Sequence, residues 1–458
     1  MSASPLAGVL TELGWKPEVL ARRLNGFAVL HGRGEQMHAK TPYKWLGGVQ
    51  SRSPWAALAA ALLSDELGRV VLPADLGWEA DRVELVSAIS GLVLPWTVAG
   101  SLRAIRVVND AVSMERRIFL TLLGTSATAP AHEWLIAHPE DAVVLSRSSS
   151  GSLVPVTRVD CLDDIAGQLS RMDDQGGGGS LLSLIRACLR HVVELLDQGR
   201  YTDTVGKRLH ATAAELMRLA GWSAWEGGHH PQAQRYWVSA LHAAHAAGDR
   251  AVGANVVGLM SLQALELGQI RESVTLAETA RAGYSGAAPR VTALLDLRAA
   301  EAHARDRAVT DCRRALDSAF NRLSDPPSSS GEPDWCYWVD EPLAHAFAGS
   351  CYLDLGDCGQ ARLHLSTALR LQNPSYARDG AFRRIRLANT YLRQDRPEVD
   401  HAVALATRAV ETLTGEVDSA YVAGQLAQFI GRLAPYRRRP TVRQLTDQAA
   451  GFLAKSGF

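Results

Sequence analysis

One spacing of small residues recurs along the second half of the chain and constrains its fold more than any other feature. The best copy contains Gly349, Tyr352, Ala361, Leu365 and Ala368, at offsets 8, 11, 20, 24 and 27 of a repeating frame. This spacing is typical of two helices joined by a turn, in which small residues of one helix pack against large residues of the other. Such a unit cannot bury its apolar face alone and needs neighbouring copies.

Four further stretches fit the same frame, three of them less well. They are 221–240, 261–280, 300–319 and 388–409, so the copies recur at intervals of about 40 residues. The pattern resembles that of tetratricopeptide repeats. It predicts an all-α chain in which residues 180–458 form a right-handed tetratricopeptide-like superhelix with a C-terminal capping helix.

Composition excludes some classes of protein and leaves the partners open. Lysine plus arginine and aspartate plus glutamate both number 48, so the net charge carries no information about partners. The six cysteines form no CxxC motif, which favours reduced thiols. No apolar run is long enough to span a bilayer, and the first residues lack the pattern of a secretory signal. We therefore expect a cytoplasmic protein with no membrane contact.

The first 78 residues differ from the rest in pattern and in local charge. Apolar periodicity predicts four short helices, the third beginning with Thr41 as N-cap and Pro42 after it. Up to Pro54 there are seven basic and three acidic residues, a local charge of 7 − 3 = +4. This plan indicates a helix-turn-helix domain that attracts DNA phosphates. The alternative is a helical cap on the repeats whose basic residues are only solvated.

The stretch YKWLGGVQSRSP (43–54) resembles the W-x-x-G-x-x-x-P segment that follows the recognition helix in the xenobiotic-response-element, or phage repressor-like, family of DNA-binding domains. The resemblance implies that Trp45 packs in the domain core. It also implies six DNA contacts, with Lys40, Thr41, Tyr43 and Lys44 in the groove and Arg33 and Arg52 on phosphates. The sequence departs from this family at residues 26–40, where about fifteen residues replace a tight turn.

Residues 79–175 are predicted to connect the head to the repeats through helices and loops. The four glycines at 176–179 are not a phosphate loop, because no Gly-Lys-Ser/Thr motif follows them. With the head, the segments MERRIFLTLLG, HEWL, DDIAGQL and ELMRLAGW make the whole chain resemble actinobacterial transcriptional regulators that couple such a head to tetratricopeptide repeats. The resemblance implies a homodimer that binds double-stranded DNA and responds to an effector.

The first helix of each pair is expected to line the concave side of the superhelix. An asparagine there can pair both polar groups of a peptide backbone, and a tryptophan offers a flat apolar face. The predicted ligand-binding residues are Arg218, Trp222, Trp225, Asn255, Glu301, Arg305, Asn389 and Arg393. The alternative is that the tryptophans pack between repeats and the polar groups only solvate the groove. Residues 325–342 are rich in proline and serine and then aromatic, which fits either a lid over this groove or a plain surface loop.

No catalytic motif is present, and His229, His230, His242 and His245 lack a carboxylate or cysteine at a metal-binding spacing. We therefore expect no enzyme activity, no cofactor and no metal. The sequence predicts a DNA-binding transcriptional regulator whose repeats mediate dimerisation and sense a small molecule, a peptide or a protein partner in the groove. The alternative is a scaffold that does not bind DNA and holds a partner protein in that groove.

Overall fold

The structure is a computed structural model that describes residues 4–30, 36–51, 55–67, 76–78, 94–110, 125–137, 151–176, 181–324, 331–416 and 419–455. In these ranges every regular element is a helix, and Leu153 and Arg200 form one isolated parallel bridge. The predicted all-α class is confirmed. Within the same ranges no helix combines the length and apolar character that a membrane span requires.

The head contains four helices: α1 (Pro5–Glu12), α2 (Pro17–Leu30), α3 (Thr41–Leu46) and α4 (Trp55–Leu67). They share a core of their own, in which Trp45 meets Trp78 edge to face at 5.0 Å. Trp45 is therefore a core residue, as predicted. The N-cap prediction was wrong by one residue, because Thr41 is already helical and Lys40 occupies the cap position without a side-chain hydrogen bond.

The long connection between α2 and α3 is tied back to α2 by one side chain. The Asn25 amide donates to the Met37 carbonyl at 2.9 Å, and its oxygen accepts from the Met37 N–H at 2.7 Å. Met37 itself is buried in the head core. A bidentate amide contact of this kind satisfies two backbone groups outside any helix. This contact holds the part of the connection next to α3 against helix α2.

Sixteen more helices follow in the described ranges: α5 (Val98–Asp110), α6 (Thr125–Ile136), α7 (Val156–Gly176), α8 (Leu182–Gln198), α9 (Asp203–Glu226), α10 (His230–Ala247), α11 (Arg250–Glu266), α12 (Ile270–Ala282), α13 (Pro289–Arg305), α14 (Val309–Ser324), α15 (Glu341–Leu355), α16 (Cys358–Leu371), α17 (Ala377–Leu392), α18 (Val399–Glu416), α19 (Ala420–Arg432) and α20 (Pro440–Lys455). From α9 to α18 they pack as five consecutive pairs, each against the next, and α19 and α20 pack at the end of this stack. The five predicted helix pairs are confirmed.

The predicted contact of small against large residues is present inside the pairs. Gly349 on α15 faces Leu365 on α16 so closely that a Cβ on the glycine would lie 2.5 Å from the Leu365 Cγ. Gly221 on α9 faces the indole of Trp237 on α10 in the same way. Both large side chains are fully buried. These glycines therefore set how closely the two helices of a pair approach each other.

Replacing Gly349 with alanine is expected to lower the free energy of unfolding by about 1–2 kcal/mol. The added methyl group also meets the Leu365 amide nitrogen and the Ala361 carbonyl oxygen, at 3.0 and 3.1 Å, so overpacking outweighs the gain in helix propensity. Gly451→Ala on α20 is the matched control, because a Cβ there meets no atom within 4 Å. Urea unfolding measures both variants, and equal or higher stability of Gly349→Ala would contradict the packing argument.

The described parts of the predicted connector pack against the first helix pairs. Trp134 on α6 is fully buried and lies against the backbones of Gly253 and Gly283. Arg250 stacks 4.8 Å over the same indole and donates to the Trp134 and Ala137 carbonyls at 2.8 and 2.7 Å. On α5, Ala104 accepts a hydrogen bond from Ser239. The α5 and α6 segments thus belong to the same hydrophobic core as the repeats.

Candidate functional site

A cavity of about 190 Å³ lies among the first helices of successive pairs. Helices α9, α11, α13, α15, α17 and α19 contribute to its wall, together with α7 and the 337–340 segment. Its lining combines aromatic and charged side chains, among them Arg218, Trp222, Trp225, Glu226, Asn255, Arg298, Glu301, Tyr337, Trp338, Phe347, Tyr376, Arg378, Phe382 and Tyr421. A concave site that combines apolar surface with converging polar groups is the usual form of a small-molecule site, and this one is richer in charged groups than most.

Arg378 joins α17, the first helix of the last pair, to α9, the first helix of the stack. From the beginning of α17 it donates to Glu226 on α9 at 2.7 Å and to Asp173 on α7 at 3.4 Å. All three side chains are almost completely buried. Ser419, which caps α19, donates to the second oxygen of Glu226 at 3.3 Å. Helices that lie far apart in sequence are therefore held together at one wall of the cavity.

Burial dominates the electrostatics of this wall. Removal from water raises the pKa of Asp173 and of Glu226 above the ordinary carboxyl values, and the charge of Arg378 opposes the shift in both. Burial also raises the pKa of Asp174 to about 6, although the Tyr337 hydroxyl donates to its carboxylate. Burial lowers the pKa of Arg378, but the charges of the nearby carboxylates together raise it further, so the guanidinium stays charged. The wall thus holds carboxyl groups that take up protons more readily than exposed ones.

Four rings line the cavity in one continuous series. The centroids of Trp222 and Trp225 lie 4.8 Å apart, those of Trp225 and Tyr421 4.6 Å apart, and those of Tyr421 and Phe382 5.4 Å apart. The Arg378 guanidinium lies 5.7 Å from the centre of the Trp222 ring. The series connects α9 to α19 and α17, which continues the junction made by the ion pairs. Its partly exposed members give the cavity a flat aromatic surface.

Three residues of the lining, Asn255, Asp173 and Trp225, each have a buried polar atom without a regular hydrogen bond in the part of the chain that the structure describes; in Trp225 it is the indole Nε1. The Asn255 side chain is 4% exposed, and its Nδ2 finds no hydrogen-bond acceptor in the part of the chain that the structure describes. The Asp173 side chain is 3% exposed, and its Oδ1 accepts no hydrogen bond of regular geometry there, although the Trp222 indole lies close enough to the carboxyl group to oppose the rise of its pKa. A buried group in this condition costs about 1–3 kcal/mol. The lining residues therefore hold two donors and one acceptor whose hydrogen-bonding capacity the protein leaves incomplete.

Five of the eight predicted ligand-binding residues line this cavity. Trp222, Trp225 and Asn255 are described above. Arg218 is buried and donates to Glu215 at 2.6 Å, with Ser170 at 3.4 Å. Glu301 accepts from Arg298 at 3.1 Å. The structure therefore brings these five side chains to one surface, although Arg218 and Glu301 are already paired with other side chains.

The other three predicted ligand-binding residues lie elsewhere. Arg305 and Arg393 are exposed near the ends of α13 and α17 and do not line the cavity. Asn389 is buried, and its amide donates to the Ile385 carbonyl at 3.0 Å while its oxygen accepts from Arg432 at 2.6 Å. Its hydrogen bonds therefore join α17 to α19. An asparagine that is already paired at both ends serves packing here.

The structure describes four of the six predicted DNA-binding residues. Lys40, Tyr43 and Lys44 are exposed on or next to α3, and Thr41 is partly buried. Arg33 and Arg52 lie outside the described residues. The Tyr43 hydroxyl donates to Glu18, which raises the pKa of Tyr43 and lowers that of Glu18. The exposed surface beside α3 is thus basic, with one carboxylate at its edge.

The histidines considered as metal ligands do not form a visible metal site. His242 is buried and stacks on Trp96 with ring centroids 4.0 Å apart, and His245 meets the same ring edge to face. Among the described residues, no three side chains of the metal-binding types come together. Burial lowers the pKa of His242 and of His230 to about 4, so both are neutral near pH 7.

Comparison with known proteins adds one partial match. Residues 6–79 match a family described as the SP15 N-terminal domain. The matched range contains the four helices of the head and ends before α5. No curated protein and no solved structure matches the chain.

Proposed function

We propose that the protein is a transcriptional regulator whose head binds double-stranded DNA and whose tetratricopeptide-like repeats sense an organic ligand in the central cavity. The cavity is the observation that supports ligand sensing by the repeats. Its wall connects α17 to α9 and α7 through Arg378, and it contains buried polar atoms whose hydrogen bonds are incomplete. A ligand that pairs with those atoms would favour the closed arrangement of the stack over a looser one.

The exposed basic surface beside α3 supports the DNA-binding part of the proposal. Lys40 and Lys44 lie on the same side of the head as Tyr43, and Trp45 anchors this short helix in the core. Lysines in this position attract phosphates and contribute affinity that falls with salt. In a homodimer, two such heads would meet two half-sites, and ligand binding would act by changing the separation of the heads.

The alternative proposal is a scaffold that does not bind DNA and grips a partner protein in the groove. The size of the cavity favours a small ligand over this alternative. A cavity of about 190 Å³ has room for on the order of ten to twenty non-hydrogen atoms, which suits a small molecule and not a folded domain. A scaffold would therefore have to use another surface of the repeats, or hold no more than a single inserted side chain in the cavity.

The DNA-binding proposal predicts that the double variant Lys40→Ala/Lys44→Ala binds DNA about tenfold more weakly than the unmodified protein at moderate salt. Its plot of log affinity against log salt should be shallower by about two, since each lysine that contacts a phosphate contributes roughly one to the slope. Fluorescence anisotropy with fragments from upstream of the protein's own gene measures both quantities.

The matched control for this experiment is Lys207→Ala/Arg314→Ala, which removes the same charge from exposed positions on α9 and α14. It should keep the affinity and the salt slope. If the unmodified protein shows no salt-sensitive preference for any fragment, or if both double variants weaken binding equally, the head does not read DNA through α3 and the scaffold proposal takes its place.

A further inference from the structure

We propose that the central cavity binds a small aromatic amine that is positively charged and carries a hydrogen-bond acceptor oxygen. This inference rests on the proposed function, because it names the ligand class of the same cavity. Three properties of the wall support it independently: a surplus of carboxylates, buried polar atoms whose hydrogen bonds are incomplete, and a continuous aromatic surface.

The surplus of carboxylates is concentrated where α7, α9 and α17 meet. Arg378 contacts three carboxylates, those of Glu226 at 2.7 Å, Asp173 at 3.4 Å and Asp379 at 3.5 Å. Asp174 lies beside them, and within the described residues its carboxylate accepts a side-chain hydrogen bond from the Tyr337 hydroxyl. One guanidinium cannot neutralise four carboxylates.

Other arginines near this wall are already engaged. Arg218 pairs with Glu215, and Arg298 pairs with Glu301. Arg383 lies 3.6 Å from Asp379 and donates to Gln372 at 2.8 Å. Counting Asp173, Asp174, Glu226, Asp340 and Asp379 against Arg171, Arg378 and Arg383 leaves 5 − 3 = 2 negative charges when all of these groups are ionised. A buried surplus of this sign is relieved by protons or by a bound cation.

The unpaired atoms specify what else the ligand must offer. The Oδ1 of Asp173 requires a donor, which a protonated amine provides with up to three N–H groups. The Nδ2 of Asn255 requires an acceptor, such as a carbonyl oxygen. Neither atom makes a hydrogen bond of regular geometry within the described residues, and both side chains line the same cavity. A ligand with an ammonium group alone would satisfy only the first of them.

The aromatic lining and the volume of the cavity indicate the size of the ligand and the apolar part that it must have. Trp222, Tyr421 and Phe382 are partly exposed and line the cavity, so they offer ring faces to an aromatic or cationic group. The cavity volume of about 190 Å³ allows on the order of ten to twenty non-hydrogen atoms, taking about 10–15 Å³ for each water-sized centre. A single substituted aromatic ring with an aminoalkyl chain meets these limits.

Three commercial probes separate the requirements: 4-(2-aminoethyl)benzamide, phenethylamine and phenylacetate. The first carries the amine and a carbonyl, the second the amine alone, and the third a negative charge on a similar ring. Calorimetric titration of the full chain should rank their affinities in that order, with about tenfold between the first two and no binding of phenylacetate. Equal or tighter binding of the anion, or no binding of either amine at millimolar concentration, overturns the proposal.

Two variants assign the contacts. Asn255→Ala should bring the affinity for 4-(2-aminoethyl)benzamide down to that for phenethylamine and leave phenethylamine unchanged. Asp174→Asn should weaken both amines about tenfold, because it removes one charge and keeps an acceptor for the Tyr337 hydroxyl. Thermal unfolding of each variant without ligand checks its fold. If a folded Asn255→Ala still distinguishes the two amines, the acceptor requirement is wrong.

The affinity for the amines should depend on pH in a way that packing contacts alone would not produce. Because the pKa of Asp174 is raised to about 6, protons compete with the cation at low pH, so amine affinity should rise about three- to tenfold from pH 5.5 to pH 8. The groups that face Asp174 from the surrounding elements are Arg171, Asp173, Arg218, Glu226, Tyr337, Asp340, Tyr376, Arg378 and Asp379. Affinity that is flat or falls over this range contradicts a carboxylate-bound cation.

These measurements need no DNA, so they separate the ligand class from the regulatory proposal. Amine binding with the predicted ranking and no DNA binding by the head would leave the ligand class intact and remove the regulator. DNA binding that depends on Lys40 and Lys44, together with failure of both amines, would leave the regulator intact and reject the ligand class.

Discussion

Replacing Arg378 with methionine is expected to lower the free energy of unfolding by about 3–5 kcal/mol. The guanidinium is the shared partner of Glu226 and Asp173, and all three side chains are almost fully buried. Methionine fills part of the volume but leaves two carboxylates without a counter-charge. Removing one partner of a buried ion pair costs far more than removing an exposed one. The contact between α17 and the first helices of the stack should loosen.

The pH dependence of this variant identifies the cause. Without Arg378 the pKa values of Glu226 and Asp173 should rise further above their unfolded values. A carboxyl with a raised folded-state pKa stabilises the fold at low pH and loses that contribution as pH rises through the folded pKa. The defect of Arg378→Met should therefore be larger at pH 8 than at pH 5, as measured by urea unfolding at both values.

Two companion variants test the same explanation. Arg314→Met removes an arginine that is 72% exposed and paired with Asp311, and should change stability by less than about 0.5 kcal/mol. Adding Glu226→Gln and Asp173→Asn to Arg378→Met should restore part of the loss, since no buried charge then remains unpaired. A defect of equal size at both pH values, or no recovery in the triple variant, would show that Arg378 acts through packing alone.

The helix pairs were predictable because their signal is local. A small residue at the contact point of one helix requires a large one about sixteen residues later, as with Gly221 and Trp237 or Gly349 and Leu365. The same frame identified Trp222 and Asn255 as groove residues, since the position in the first helix fixes which way a side chain points. The local rule failed for Asn389, because its partner Arg432 lies on a later helix.

The charged wall of the cavity was missed for a physical reason. Arg378 and Asp173 are 205 residues apart, and Arg378 and Glu226 are 152 apart. No periodic pattern connects residues that meet only when the stack closes. Asp173 and Asp174 were visible as a pair before the glycine run, but a pair of acidic residues on a helix is usually solvated. The signal that would identify them is the three-dimensional contact between α7 and α17.

Acid is expected to weaken the fold through a second group of buried residues. These are the histidines that contact Trp96 or helix α5. His242 is 1% exposed, stacks on Trp96, and has neither ring nitrogen hydrogen-bonded within the described ranges. Burial, assisted by the charge of His245, lowers its pKa to about 4. His210 is fully buried beside Ser101, and burial lowers its pKa to about 4 as well.

Replacing His242 with phenylalanine should reduce the stability lost between pH 7.5 and pH 5 by about 2 kcal/mol. The unfolded histidine takes up a proton below its ordinary pKa of about 6.5, whereas the folded one stays neutral down to about 4, so protons favour unfolding in this window. The raised carboxyl pKa values of the cavity act in the opposite direction, and the difference between variant and unmodified protein removes their effect.

Phenylalanine is chosen for this test because it keeps an aromatic ring against Trp96. His191→Phe is the control, since the His191 side chain is 47% exposed. Urea midpoints at both pH values decide the matter: equal losses in His242→Phe and the unmodified protein would mean that the buried imidazole is protonated without cost.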